Sequence, residues 1–313
     1  MLMMNERAAS VIEEELIGDE DVLKIRILER GKHLVLDFGV NVPGSYEAGL
    51  IFTEICMGCL GSATLTFKSL GDFQIPFIEV FTDFPVEACM LSQMAGWRVK
   101  KEGYFAMASG PARALARIPS ELFREFEYEE SSDVAVIALE SSKLPPEDVL
   151  DFIAEKCGAE RVYALVAPTS SLVGSIQISG RVAETAIHRI HSLGMDLRNI
   201  ISCSGTAPVA PIAEDELKAM GRTNDCIIYH GSVSMIVEDM MELSNAVSSS
   251  SPSFGKPFYE LFRESNFDFY KVDPALFAPA EISVSSRKTG EFRKFGRVHP
   301  EILLKSFGYE KIS

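Results

Sequence analysis

The chain has 313 residues, with 45 acidic against 30 basic side chains and a net charge of −15. Its 47% apolar content excludes an intrinsically disordered chain and leaves ample material for a core, and the length suits two domains or one large one. So strong an acid excess repels phosphate backbones, which excludes nucleic acid as a general partner.

Ala8, Val11, Ile12 and Leu16 fall at helical spacing, and acids occupy Met1 to Leu16 where a secretory signal would carry its apolar run. Val22 to Leu28 alternates like a strand, Gly31 and Lys32 make a turn, and His33 to Phe38 returns as its partner. Ala63 to Leu70 and Ile75 to Thr82 predict a hairpin joined through Gly71 and Asp72. Pro85 to Met94 suits a helix with proline early. Glu121 to Asp133 holds six acids and one arginine and reads as a solvated helix end and domain boundary. Beyond it the rhythm is βαβ: strands at Val134–Leu139, Val162–Ala167, Ile200–Cys203 and Cys226–Tyr229, and helices at Pro146–Cys157, Gly180–Leu193 and Ala213–Met220. The uncharged stretch Val162 to Gly180 is too polar for a membrane span and reads as a buried strand followed by a polar loop. Cys56 and Cys59 form a single C-x-x-C without a second pair, best read as packed and reduced thiols in a cytoplasmic protein.

No phosphate-binding G-x-x-x-x-G-K-[ST] or G-x-G-x-x-G loop occurs, nor H-E-x-x-H or G-x-S-x-G. The informative segment is Gln177 to His191. Val182, Ala186, Ile190 and Leu193 form one apolar stripe, whereas Arg181, Glu184, His188 and His191 share another face, with Ser179 or Gly180 as the cap. Three readings of that face are open. It is a solvated face with an ion pair, a metal site from Glu184, His188 and His191, or a metal-free dyad in which Glu184 activates water beside Arg181.

The stretch Ala167-Pro168-Thr169-Ser170-Ser171 through Gln177-Ile178-Ser179-Gly180-Arg181 to Glu184 resembles the methenyltetrahydromethanopterin cyclohydrolases of archaeal one-carbon metabolism. So do Val42-Pro43-Gly44-Ser45, Tyr104 to Ala114, Gly221 to Asp225, Lys256-Pro257-Phe258-Tyr259, and the run from Asp268 through Phe269 and Tyr270 to Ala280. The islands cover nearly the whole chain in order.

The resemblance implies a hydrolase that opens the cyclic amidinium of 5,10-methenyl-tetrahydromethanopterin to the N5-formyl carrier, reversibly. It needs no cofactor, since the pterin derivative is itself the substrate carrier. The family's arginine and glutamate map onto Arg181 and Glu184, with Glu184 activating water and Arg181 orienting it. Ser109, Gly110, Arg113, Gln177, Thr223, Asn224 and Asp225 are the substrate-binding candidates. The first three open a helix whose N–H groups can meet an anion, and the last three precede the Cys226 strand as ring-pairing groups or a plain turn. Phe254 and Phe258 can line an apolar wall, and the basic cluster Arg287, Lys288, Arg293, Lys294 and Arg297 can receive an anionic tail or serve as a solvated face. The alternatives are a zinc-dependent amidohydrolase built on Glu184, His188 and His191, and a non-catalytic pterin-binding protein. The expected architecture is α/β (α+β), two mixed-sheet domains with the active-site cleft between them. Residues 1–130 form a strand-rich domain and 131–313 a βαβ-type domain, with 275–313 able to pack back on the first. Self-association as a homotrimer and the absence of any membrane or nucleic-acid partner complete the expectation.

Overall fold

The computed structural model describes residues 2–268 and 271–309, so Phe269 and Tyr270 of the last resembling run lie outside the described residues, as do Met1 and residues 310–313. The chain forms two compact units, residues 1–62 with 87–177 and residues 63–86 with 178–313. Each carries one six-stranded mixed sheet.

The first unit begins with α1 (Met4–Val11), prolonged as a π-helix over Ile12–Leu16, and α2 (Glu20–Leu23). Then come β1 (Arg26–Arg30), β2 (His33–Asp37) and α3 (Tyr46–Cys56). The chain leaves for the hairpin β3 (Gly61–Leu70) and β4 (Phe73–Thr82). It resumes with a π-helix over Val86–Gln93, β5 (Trp97–Lys101), β6 (Tyr104–Ser109), α4 (Ala112–Ala116) and α5 (Ser120–Glu125). β7 (Val134–Glu140), α6 (Glu147–Cys157), β8 (Arg161–Ala167) and α7 (Leu172–Ser179) follow. The sheet order is β1-β2-β8-β7-β6-β5, with β2, β8 and β7 mutually parallel. These three strands are apolar almost throughout because both faces are covered. Leu36, Val136, Tyr163 and Leu165 pack with Ile12, Leu16, Phe52 and Ile55 on one side. Val35, Ile137, Ala164 and Val166 meet Val149, Leu150 and Ile153 of α6 on the other.

The second unit adds α8 (Val182–Ser192), β9 (Ile200–Pro208), α9 (Glu216–His230) and β10 (Ser232–Val237). α10 (Phe258–Glu264), β11 (Glu281–Ser286), β12 (Phe292–Gly296) and α11 (Pro300–Phe307) complete it. Its sheet runs β12-β11-β10-β9-β4-β3, antiparallel except for β10 beside β11. Phe77, Cys226, Ile228, Tyr229, Phe258 and Leu303 fill the core under α9, α10 and α11.

The α/β class and the two mixed sheets are as expected, and several elements differ. Val22 and Leu23 end a helical turn, and the strand starts only at Arg26, after Lys24 takes a left-handed φ of 56°. The predicted Cys226–Tyr229 strand is the last turn of α9, because the Asp215 carboxylate caps Lys218 N and a 15-residue helix runs through to His230. The predicted polar loop before Gly180 contains α7. Along the chain the two compact units are interleaved. β7 pairs with β6 across the acidic run, and the 63–82 hairpin pairs with β9 far downstream.

Candidate active site

The segment that carries the resemblance is a strand, a tight turn and two successive helices. β8 ends at Ala167, and the Ser171 hydroxyl then donates to Pro168 O and accepts from Gly174 N, capping the helix that follows. A Cβ on Gly174 would overlap the Pro168 carbonyl, so glycine is required there. The chain leaves α7 at Ser179 and enters α8 with Arg181 as its N-cap, whose side chain makes no capping bond. The expected cap by Ser179 or Gly180 is therefore shifted to Arg181, because Ser179 is still part of the preceding helix.

On α8 Val182, Ala186 and Ile190 of the predicted stripe are fully buried, while Leu193, its C-cap, is half-buried. Glu184 lies in the first turn and is only 8% exposed, and Arg181 beside it is half-buried. A carboxylate so placed gains from the partial positive charge of the helix N-terminus. His188 is exposed and His191 half-exposed, so the four-residue face is graded from core to solvent. Among the described residues no group of three or more His, Cys, Asp or Glu is placed to hold a metal ion, and Glu184, His188 and His191 do not assemble as a ligand set.

The other candidates fall into two groups. In the first unit, Ser109 ends β6, Gly110 has φ 91°, and α4 is a five-residue helix. Arg113 is wholly buried, and its guanidinium donates to the carbonyls of Met90, Ser92 and Ile118 at 2.9–3.2 Å. It ties the π-helix and the following turn together from inside. Gln177 is 2% exposed on α7. In the second unit, Thr223, Asn224 and Asp225 lie mid-helix in α9, not in a turn before a strand. Thr223 Oγ1 donates to Ala219 O and Asn224 Nδ2 to Met220 O. Asp225 is fully buried and accepts from Phe258 N at 2.8 Å and from Ser306 Oγ at 2.5 Å, and burial raises its carboxyl pKa to about 7. Of the apolar-wall pair, Phe258 is core and Phe254 packs between Tyr229 and His299, tilted to the first ring and edge-on to the second. The basic cluster is largely ion-paired: Arg287 with Glu238, Lys288 with Asp239, Arg293 with Glu291 and Lys294 with Glu281. Cys56 is buried and Cys59 half-buried, neither in a disulfide, and burial pushes Cys59 up to about 12.

Sequence reasoning passed over a polar edge in the first unit. At the carboxyl ends of the parallel strands stand Asp37 closing β2, Glu140 closing β7 and Thr169 two residues past β8, with Thr169 Oγ1 donating to Glu140. That end of a parallel sheet is where α/β folds carry ligand crevices. The available signal was an acid ending each of the apolar runs of β2 and β7, and the polar Thr169-Ser170-Ser171 just past that of β8.

No helix among the described residues is long and apolar enough to cross a membrane. Residues 3–307 match the family model described as Cyclohydrolase (MCH). The chain is 48% identical, over all of both chains, to a methenyltetrahydromethanopterin cyclohydrolase of Methanocella arvoryzae. It is 47% identical to that of Methanospirillum hungatei (99% of this chain, all of the relative) and 44% identical to that of Methanothermobacter thermautotrophicus (98% and 100%). With matches of this extent joined to the strand–turn–helix–helix segment that bears Arg181 and Glu184, the chain belongs to the methenyltetrahydromethanopterin cyclohydrolase family.

Proposed function

We propose that this chain hydrolyses 5,10-methenyl-tetrahydromethanopterin to N5-formyl-tetrahydromethanopterin, reversibly, with Glu184 as general base. The substrate carbon between N5 and N10 is part of a cationic amidinium and is already electrophilic. What the reaction needs is a positioned water and a proton acceptor. Glu184 takes a proton as the water oxygen bonds to that carbon, giving a neutral adduct. The carbon–N10 bond then breaks as N10 receives a proton, the former water oxygen becomes the formyl oxygen, and one proton leaves to solvent overall. Arg181, next to Glu184 at the helix start, orients the carboxylate and keeps it charged. Ser109, Gly110, Gln177 and the Thr223–Asp225 segment remain the proposed binding set. Arg113, Thr223, Asn224 and Asp225 serve it by holding local structure: Arg113 bonds main-chain carbonyls, Thr223 and Asn224 bond carbonyls one turn back in α9, and Asp225 joins Phe258 N to the Ser306 hydroxyl.

The observation that supports the reading most directly is the buried Glu184 carboxylate in the first turn of α8, within a chain matched to the family from end to end. A buried acid has to be compensated by charge or hydrogen bonds, and an N-terminal helical turn with an arginine neighbour supplies that environment. The experiment follows the near-UV absorbance of the methenyl carrier. Glu184→Gln should fold normally and lose about 10²–10⁴-fold in turnover, and a folded variant at wild-type turnover would sink the assignment. A chelator arm accompanies it, because loss of activity with chelator would favour the zinc alternative.

Self-association belongs to the same reading, with a trimer implied by the family resemblance. What supports it in this chain is a set of exposed apolar and hydroxyl positions on the outward face of the second sheet, Phe81, Ser204, Ser234, Ile236 and Phe292, bordered by the Lys294–Glu281 ion pair.

A further inference from the structure

Between Arg181 and Glu184 stands Val182, and its two methyl groups occupy the places of two missing side chains. A Cβ built on Gly205 would lie 2.7 Å from Val182 Cγ1, and one built on Gly231 would lie 3.0 Å from Val182 Cγ2. Gly205 sits in the middle of the second sheet, opposite Val80 of β4 and Val233 of β10. It lies on the buried face, in line with Cys203 and Ala207. Flanked by two valines, it leaves a notch that Val182 enters. The same Cβ would stand 3.1 Å from the Ala183 main-chain nitrogen. A side chain can rotate out of such a contact; a backbone nitrogen in the first turn of a helix moves only if the turn moves. Gly231 is less discriminating, since a Cβ there would also press on Ile227 O at 2.6 Å.

We infer that Gly205 is a positioning residue for the reaction. Its missing side chain sets how closely the first turn of α8 seats on β9, and so where the Glu184 carboxylate stands. The inference rests on the assignment of Glu184 as the base, and it extends the set of residues on which turnover depends to a glycine one sheet layer beneath it. A catalytic group has to be held within about 0.5 Å of its productive place, and a displacement of about 1 Å costs on the order of 10²-fold.

The test is made in the full-length protein, with thermal unfolding first establishing that each variant is folded at the assay temperature. Gly205→Ala should lower kcat about 10- to 100-fold while KM for the methenyl carrier changes less than about threefold. Adding Val182→Ala to it removes the 2.7 Å contact and should restore part of the lost kcat. In a Glu184→Gln background Gly205→Ala should cost less than about threefold, because the group it displaces is no longer a base. Wild-type kcat in folded Gly205→Ala overturns the inference, and so does an equal loss in both backgrounds, which would mark a general packing role. If Gly205→Ala does not fold, Val182→Ala alone decides. It takes away the wedge without adding an atom, and an unchanged kcat overturns the inference. Wild-type turnover in Glu184→Gln would strike the base assignment itself, an outcome distinct from a normal Gly205→Ala beside a slow Glu184→Gln.

Discussion

At the end of β2 the fully buried Asp37 carboxylate is enclosed by the loop it precedes. Oδ1 accepts from Gly39 N and Val40 N at 3.0 and 2.7 Å, and Oδ2 accepts from the main-chain and side-chain nitrogens of Asn41, both at 2.9 Å. This is the donor set of an anion nest, filled by the chain's own carboxylate. It shapes the approach to Gly44, whose φ is 67° and whose Cβ would press on Val173, and to Ser45, which caps α3 through Ala48 N. Asp37→Ala leaves three main-chain donors without this acceptor and should cost about 2–4 kcal/mol, read by urea denaturation. A loss below about 0.5 kcal/mol would show that water replaces the carboxylate. None of this was legible in His33–Phe38, where alternation makes Asp37 an ordinary outward position of a half-buried strand. Both faces of β2 are covered, so its one acid turns back on the backbone. Glu184 was legible only through the resemblance. Helical spacing placed it with His188 and His191, and the depth to which α8 settles on β9, which separates them, has no local signature.

The elements read correctly were those with their own period or punctuation: the 63–82 hairpin around Gly71-Asp72, α6 with glycine after it, and the apolar strands β7 and β8. α9 shows the opposite case. Cys-Ile-Ile-Tyr is as good a buried strand as a buried helical turn, and the helix begun at the Asp215 cap and packed by α10 and α11 decides. That packing is joined by Asp225, which receives Phe258 N from the start of α10 and Ser306 Oγ from α11. Burial raises its pKa from 3.8 to about 7, opposed by those two donors and reinforced by the charge of Glu260. A carboxyl with a raised folded pKa binds more protons folded than unfolded between about pH 4 and 7, so its contribution falls as pH rises through that window and is level above it. Asp225→Asn keeps an acceptor for Phe258 N and removes the titration. Its stability relative to wild type should therefore rise by an amount on the order of a few kcal/mol from pH 4 to 7 and then level off, measured by chemical denaturation across pH. Ser306→Ala, which deletes a donor to the ionised form, should push the window upward. A pH-independent difference between Asp225→Asn and wild type would show that the buried carboxyl does not titrate there.

On the scale of the whole molecule, the α/β class was legible from the alternation of strands and helices, while the largely antiparallel second sheet and the path of the chain between the two sheets were not. The hairpin at 63–82 lies early in the sequence yet pairs with β9, some 120 residues on, through contacts from Phe77–Pro208 to Thr82–Cys203. Local pattern announces a hairpin and is silent on which sheet receives it. The acidic run near residue 130 looked like a boundary because solvated acids mark surfaces of every kind, including loops inside a domain. The same ambiguity governs the second sheet. Its outward row reads as alternating Ser and apolar residues, suited to a solvated face or to a partner. In register, Phe81 stands opposite Ser204 and Ser204 opposite Ser234, while Ile236 stands opposite Ser285 and Ser285 opposite Phe292. Phe292 is 65% and Phe81 57% exposed. Small hydroxyl residues between large apolar ones let a second backbone approach closely, and the one charge that ends the first row, Lys294 opposite Ser283, is paired with Glu281. If copies of this chain associate through that row, a lysine placed within it is desolvated without a partner and costs several kcal/mol. Light scattering should then find an oligomer for the wild-type chain and a predominantly dissociated species for Ile236→Lys at micromolar concentration. Ile17→Lys, at an exposed apolar position on the first unit, should leave the mass unchanged. An Ile236→Lys protein that keeps the wild-type mass would move the contact to another surface, and a monomeric wild-type chain would remove it.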